Sequence, residues 1–118
     1  MRARPPNDIS PLEFFTRWVP SMVEADGERR ARLGDTAAAL VFVLDGVGGG
    51  EFTLWLEQGR VAGESGRPFS ADLEVQVDLE TWRALNRGEL SAPEALLKRR
   101  LRVSGDLILA LKLHIILG

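Results

Sequence analysis

The most informative segment of the chain runs from Leu101 to Leu117 and reads Leu-Arg-Val-Ser-Gly-Asp-Leu-Ile-Leu-Ala-Leu-Lys-Leu-His-Ile-Ile-Leu. Its first residues, up to Val103, alternate apolar and polar side chains, which is the period of a half-buried strand. Gly105 permits a sharp turn, and the Asp106 carboxylate is a good N-cap for a following helix. We therefore expect a strand, a turn and a C-terminal helix.

That C-terminal helix is unusual because it is apolar all round. From Leu107 to Leu117 only Lys112 and His114 are not apolar, and they fall on nearly opposite sides of the helix. Such a helix must be covered on every side. It would span about 17 Å, which is too short to cross about 30 Å of hydrocarbon. The rest of the chain, a partner or a ligand has to cover it.

The composition predicts one globular domain. The chain has 118 residues, of which 45% are hydrophobic and 27% charged. Its net charge of -2 gives no reason to expect nucleic-acid binding, and the absence of cysteine excludes disulfides and thiolate chemistry. We expect residues 1–9 to form a disordered tail without a signal peptide, residues 10–118 to form a single domain, and the protein to be cytoplasmic.

Upstream of the final helix the periodicities predict an α+β order. Ser10-Pro11-Leu12-Glu13 is a capping box that opens an amphipathic helix to about Ala25, bent at Pro20. Asp78 and Ser91 are N-caps of two further short helices. Strands are predicted over residues 38–44, 51–57, 60–64 and 72–78. We expect a mostly antiparallel sheet with helices gathered on one face, its other face wet, and the first strand, apolar on both faces, in the centre.

The chain also resembles the sterol carrier protein 2 family from Ala38 onward. The resemblance rests on the run Arg100-Leu101-Arg102-Val103-Ser104-Gly105-Asp106 and the apolar segment Leu107 to Leu113 that follows it. Gly59, Ala71-Asp72, Gly88 and Leu90 also match the family's pattern. Arg99 stands where the family usually has glycine, so the turn there is expected to be built differently. The chain ends in Ile-Leu-Gly and not in the peroxisomal Ser-Lys-Leu. The resemblance implies a five-stranded sheet with helices on one face, an apolar tunnel for fatty acyl chains, sterols or other lipids, and no catalytic residues.

A set of apolar side chains is expected to line that tunnel: Phe15, Trp18, Trp82, Leu85, Leu97, Leu107, Leu111 and Ile115. The alternatives are a solid core and a homodimer interface. On the last helix one arc carries Leu107, Leu111 and Ile115, and the opposite arc carries Leu109, Leu113 and Ile116. The family's arrangement favours the first arc as the ligand side.

Four basic residues, Lys98, Arg99, Arg100 and Arg102, form a cluster within five positions. They either contact anionic lipid headgroups or are solvated charges that interact favourably with a helix C-terminus. Trp55, on the polar face of its strand, either contacts a membrane or partner or packs against long side chains of a neighbouring strand.

No set of residues for catalysis or metal binding can be assembled. His114 is the one histidine and is read as a core or edge residue, and scattered carboxylates offer no metal site. The glycine run 46–50 leads into a strand and carries no Lys-Ser/Thr, so it is a hairpin and not a phosphate loop.

The sequence thus predicts a non-catalytic intracellular protein without cofactor or metal that binds and transfers a fatty acyl, sterol-like or isoprenoid lipid. It would make transient contact with anionic membranes. The alternatives are an accessory module that presents a lipid intermediate to a lipid-biosynthesis enzyme complex, and a dimerisation or regulatory domain without ligand.

Overall fold

The computed structural model describes residues 4–117, except for the side chains of His114 and Leu117. The helical elements are α1 (Pro11–Glu13), a π-helical segment (Phe14–Trp18), α2 (Val19–Glu24), α3 (Gly27–Leu33), α4 (Leu79–Arg87), α5 (Ala92–Leu97) and α6 (Leu107–Leu117). The strands are β1 (Ala38–Asp45), β2 (Gly50–Glu57), β3 (Arg60–Ser65), β4 (Leu73–Asp78) and β5 (Leu101–Gly105). The predicted order of elements is confirmed, with the short helix α3 added between the first helix and β1.

The five strands form one sheet in the order β3-β2-β1-β4-β5. Only the β1–β4 pair is parallel among its pairings, so the sheet is mostly antiparallel, as predicted. β1 is central, in agreement with its two apolar faces. Gln58 and Gly59, with φ of 50° and 74°, join β2 to β3 in the conformation of a type I′ hairpin turn.

One face of the sheet is apolar and carries the helices. The π-helical segment contacts β2 and β3, α4 contacts β1 and β4, α5 contacts β5, and α6 contacts β4. The buried residues of this face alternate along each strand, as half-buried strands require: Leu40, Phe42, Leu44, Phe52, Leu54, Leu56, Val61, Leu73, Val75, Val77 and Leu101. The α+β class with helices on one face is thus confirmed.

The first helix passes through Pro20 without a break. The Val19 N–H bonds to the carbonyl of Phe14, five residues back, and Pro20 has no N–H to give to the Phe15 carbonyl in the same pattern. The π-helical segment therefore lets the helix continue although Pro20 cannot donate a backbone hydrogen bond. The Phe15 carbonyl lies so close to Gly63 of β3 that a Cβ at Gly63 would overlap it.

The other face of the sheet is less wet than its alternation predicts. Val41 and Thr53, both on this face, are fully buried. The connection between β3 and β4 covers them: the Thr53 hydroxyl donates to the Gly66 carbonyl at 2.7 Å. Arg67 forms ion pairs with Glu51 of β2 and Glu74 of β4, so its side chain crosses β1. The loop between β3 and β4 thus shields the centre of the sheet.

The segment before α1, for which a disordered tail is expected, makes specific contacts from Arg4 onward. Arg4 donates to the Arg87 carbonyl at 2.7 Å, and Arg83 donates to the Ile9 carbonyl at 3.3 Å. Ile9 is buried in the core. An apolar side chain directly before the Ser10 cap explains this, because it can pack beneath the first turn of the helix. Residues 1–3 lie outside the described part of the chain.

Candidate functional site

The interior between sheet and helices is centred on an aromatic cluster, which we define as Phe14, Phe15, Trp18, Phe42, Phe52 and Trp82. The π-helical segment supplies three of its six rings. Phe15 lies 4.9 Å from Phe42 and 5.1 Å from Phe52, measured between ring centroids, so it anchors the helix on β1 and β2. Phe14 stacks on the half-buried Trp18 at 5.5 Å. The cluster therefore extends from the sheet towards the surface.

α4 adds Trp82, which meets Phe14 edge to face at 5.2 Å. The Asp78 carboxylate caps this helix, accepting from the Thr81 N–H at 3.0 Å and from the Thr81 hydroxyl. The hydroxyl hydrogen bond holds the pKa of Asp78 below its ordinary value. Arg100 donates to the same hydroxyl at 3.0 Å, so the start of β5 is tied to the start of α4. Trp82 is thus positioned by its contact with Phe14 and by the hydrogen bonds that fix the start of α4.

α6 closes the interior with one side only. Leu109, Ile115 and Ile116 are buried, whereas Leu107, Ile108 and Leu111 are 72%, 66% and 74% exposed. Asp106 caps the helix through the Ile108 N–H at 2.9 Å. Lys112 donates to the Thr36 hydroxyl at 2.8 Å, and Arg29 of α3 donates to the Ile115 carbonyl. Polar contacts at its start, middle and end therefore position a helix that is apolar on both sides.

The structure brings together five of the eight residues that the sequence assigns to a tunnel lining: Phe15, Trp18, Trp82, Leu85 and Ile115. Leu97, Leu107 and Leu111 are exposed and do not join them. On α5 the buried residue is Ala95, and Leu97, two positions later, falls on the opposite side of the helix. On α6 the contact with β4 and α3 turns Leu107 and Leu111 outward, so the arc expected to face a ligand is split in this conformation.

Phe14 and Leu109 belong to this interior although the predicted tunnel lining contains neither of them, and Leu109 lies on the arc of the last helix opposite the expected ligand side. Phe14 contacts both Trp18 and Trp82, and Leu109 is buried at the start of α6. The apolar stripe of the first helix was a signal for Phe14. The composition of α6 did not separate its two sides, because both are apolar, and only the family resemblance favoured one of them. The side chain of His114 lies outside the described residues.

The basic cluster occupies the turn between α5 and β5 and the edge strand itself. Lys98, Arg99, Arg100 and Arg102 are all exposed, and Arg100 also holds Thr81. Leu97, 85% exposed, directly precedes them. Trp55 lies on the outer face of the sheet, where its indole N–H donates to Glu64 of the neighbouring strand at 2.9 Å. It therefore packs with a long side chain of β3, one of its two expected arrangements.

An open cleft of about 460 Å³ lies where β1 and β4 end. It is lined by Asp45, Gly46, Asp78, Leu79, Glu80, Arg83 and Arg87. Among the side chains that the structure describes, no three His, Cys, Asp or Glu residues are arranged to hold a metal ion. None of the helices in the described part of the chain has the length and apolar character needed to span a membrane.

Comparison with known proteins agrees with the fold. The model of the SCP-2 sterol transfer family matches residues 20–118. Hydroxysteroid dehydrogenase-like protein 2 from Xenopus tropicalis is 30% identical over 112 residues, which cover 94% of this chain and 26% of that protein. The chain therefore spans about a quarter of the length of this curated relative.

Two solved structures have the same fold. The stereoselective inverting sec-alkylsulfatase Pisa1 from Pseudomonas sp. superposes with a TM-score of 0.72 and 20% identity, over 93% of this chain and 16% of that one. Palmitated SCP2L2 from Aedes aegypti superposes with a TM-score of 0.61 and 19% identity, over 88% of this chain and 95% of that one. With the family model matching from α2 to the C-terminus, the resemblance seen in the sequence is confirmed, and the chain belongs to the SCP-2 sterol transfer family.

Proposed function

We propose that this protein is a non-catalytic lipid-binding module that holds an apolar chain between the sheet and the helices. The observation that carries the proposal is α6, which buries Leu109 and Ile116 while Leu107 and Ile108 stay exposed. Separating an ordinary amphipathic helix from its core exposes its only apolar side. A helix that is apolar on both sides can instead exchange one apolar contact for another, such as a lipid chain or a membrane surface.

The ligand class follows from the lining. The proposed contacts are Phe15, Trp18, Trp82, Leu85 and Ile115, with Leu97, Leu107 and Leu111 joining only when a ligand or a membrane covers them. An aromatic and aliphatic lining with few polar groups suits an acyl, sterol-like or isoprenoid ligand, of which each buried CH₂ contributes about 0.8 kcal/mol. The palmitated state of the Aedes aegypti protein supports an acyl chain.

The test is native mass spectrometry of the purified protein followed by titration with a fluorescent fatty acid. We expect a co-purified lipid at one per chain and saturable binding that unlabelled palmitic acid displaces. A protein that carries no lipid and binds neither acyl chain nor sterol would contradict the proposal and favour a domain without ligand.

Exchange of the ligand with a membrane is proposed to use the basic cluster together with Leu97. Lys98, Arg99 and Arg102 attract anionic headgroups, each by about 1 kcal/mol near the surface. The exposed Leu97 beside them supplies an apolar contact that the charges alone lack. Localisation in the cytoplasm remains part of this proposal.

A second function, a module that presents a lipid to an enzyme, is favoured by the lengths of the relatives. The chain covers 26% of the dehydrogenase-like relative and 16% of the sulfatase chain, so this fold occurs inside larger proteins. A vesicle-to-vesicle transfer assay separates the two functions. A carrier moves labelled lipid between vesicles by itself, whereas a presenting module binds lipid but transfers it only with a lipid-biosynthesis enzyme present.

A further inference from the structure

Trp82 is a buried polar group without a hydrogen bond. Its side chain is 5% exposed, and its indole nitrogen Nε1 has no hydrogen-bond partner within the described part of the chain. Buried tryptophan N–H groups are normally bonded, because a desolvated donor without an acceptor is unfavourable. Trp55, by contrast, donates to Glu64 even though it is partly exposed.

The neighbours of Trp82 explain why its N–H stays unbonded. Phe14 meets it edge to face at 5.2 Å, and Phe15 lies nearly parallel to it at 6.3 Å. Neither ring offers an oxygen, and an N–H···π contact with Phe14 is a weak substitute. Arg83, whose guanidinium carbon is 5.4 Å from the Trp82 ring centroid, is itself a donor. None of these three neighbours therefore offers the indole N–H an acceptor oxygen.

We propose that the Trp82 indole N–H is the polar anchor of the bound lipid and donates a hydrogen bond to an oxygen at the lipid's polar end. The inference rests on the proposed lipid-binding function and adds the orientation of the ligand. An indole nitrogen only donates, so its partner must be an acceptor. One donor in an apolar site fixes which end of a chain lies there without specifying the chain's length.

The location of Trp82 makes this orientation physically sensible. The aromatic cluster continues from Trp82 through Phe14 to the half-buried Trp18, and through Phe15 to the sheet. A π-helical segment, a feature frequent at functional sites, presents Phe14 and Phe15 to Trp82. A chain held at Trp82 would therefore lie along ring faces.

Carboxylate, hydroxyl and ester carbonyl oxygens share the acceptor chemistry. A buried carboxylate also needs a cation, and Arg83 is the one beside the Trp82 ring. Arg83 donates through Nη1 to the Ile9 carbonyl at 3.3 Å, which leaves its other N–H groups for a carboxylate. The comparison of an acid with an alcohol therefore distinguishes the two kinds of ligand.

The experiment compares decanoic acid, 1-decanol and decane as competitors of a fluorescent fatty acid, with the parent protein and Trp82→Phe. The variant keeps an aromatic ring and removes the N–H. We expect it to bind 1-decanol roughly 2- to 10-fold more weakly, the range of one neutral hydrogen bond, decanoic acid at least as much more weakly because its carboxylate is charged, and decane equally well. Trp18→Phe, in the same cluster, is the matched control and should change all three affinities alike.

A direct measurement uses the indole N–H resonances of the ¹⁵N-labelled parent protein, which has three tryptophans. When 1-decanol is added, we expect the Trp82 indole N–H signal to move downfield and its hydrogen to exchange more slowly with water. Decane should cause neither change. This measurement tests the proposal on the parent protein, so it does not depend on whether Trp82→Phe folds.

The outcomes are distinct. A parent protein that binds no probe overturns the lipid-binding function itself. Binding of all probes with an unchanged Trp82 signal, or an equal loss for decane and 1-decanol in Trp82→Phe, overturns the anchor and leaves lipid binding in place. A loss confined to decanoic acid assigns the ligand as an acid.

Discussion

Gly63 is the point at which β3 and the first helix touch through their backbones. A side chain there would overlap the Phe15 carbonyl oxygen and press on Leu54. We expect Gly63→Ala to lower the free energy of unfolding by about 3 kcal/mol, near the upper end of overpacking effects. Urea denaturation measures it.

The matched control is Gly27→Ala, where the added Cβ would meet nothing closer than an Arg30 nitrogen at 3.9 Å. A glycine with room for a side chain is neutral or gains stability on becoming alanine. Equal losses at both positions would mean that the contact between Gly63 and Phe15 is not the cause.

Arg99 shows how the chain replaces the glycine of the family pattern. It ends α5 with φ of 58°, in the left-handed region, and its N–H bonds to the Leu96 carbonyl while the Arg100 N–H bonds to Ala95. These are the two hydrogen bonds of a Schellman motif, which usually has glycine at this position. The turn is therefore the usual one, formed by an unusual residue.

Arg99→Gly should therefore raise the free energy of unfolding by about 0.5–1 kcal/mol, because the left-handed conformation costs a residue with a Cβ about 1–2 kcal/mol and glycine returns part of this gain as chain entropy. Thermal and urea unfolding measure the change. Arg99→Ala keeps the Cβ and should bring no such gain. If alanine stabilises as much as glycine does, the charge of Arg99 and not its backbone is responsible.

At the scale of elements, α6 has two sides that should respond differently to truncation. Ile116 is fully buried, whereas Leu111 is largely exposed. We expect Ile116→Ala to cost about 2–5 kcal/mol of unfolding free energy and Leu111→Ala to stay within about 0.5 kcal/mol. Under the carrier proposal Leu111→Ala also weakens binding of a fluorescent fatty acid. Large, equal destabilisation by both would indicate that α6 is packed on both sides and would argue for a solid core.

The same elements show what periodicity can and cannot predict. An apolar run on both faces of residues 38–44 predicted the central position of β1, and the predicted strands 51–57 and 60–64 left only Gln58 and Gly59 for a turn, because both features depend on neighbours in sequence. The split of α6 into buried and exposed sides was not predictable, since both sides carry the same kind of residue. The cover that Arg67 gives to Val41 depends on ion pairs with two strands far apart in sequence, and local patterns hold no trace of it.

At the scale of the whole molecule, the predicted tunnel lining was also limited by what local sequence patterns can show. Phe15, Trp18 and Trp82 converge because an amphipathic stripe and a capped helix both face the sheet, which sequence can indicate. The unbonded Trp82 nitrogen could not be foreseen, because it depends on which atoms surround the ring once the chain is folded. Satisfaction of polar groups is a property of the assembled interior.

The charge distribution of the whole molecule leads to the last prediction. The net charge is -2, yet Lys98, Arg99 and Arg102 form an exposed basic group beside Leu97 at one edge of the sheet. We expect the protein to associate with vesicles of phosphatidylserine and phosphatidylcholine at low salt. The association should weaken as ionic strength rises, since exposed charges are screened beyond about 8 Å in physiological salt.

Replacing Lys98, Arg99 and Arg102 by Gln should weaken vesicle binding by about 100-fold at low salt, the sum of about 1 kcal/mol for each charge. Arg100 is left in place because it holds Thr81. The matched control replaces Arg30, Arg32 and Arg60 by Gln, which changes the net charge equally at three exposed positions elsewhere. Sedimentation with vesicles measures both. Equal weakening by the two triple variants would mean that net charge alone causes the effect. A loss confined to the first variant locates the membrane contact at the end of α5. Leu97 can enter the headgroup layer there once the charges have brought it to the surface.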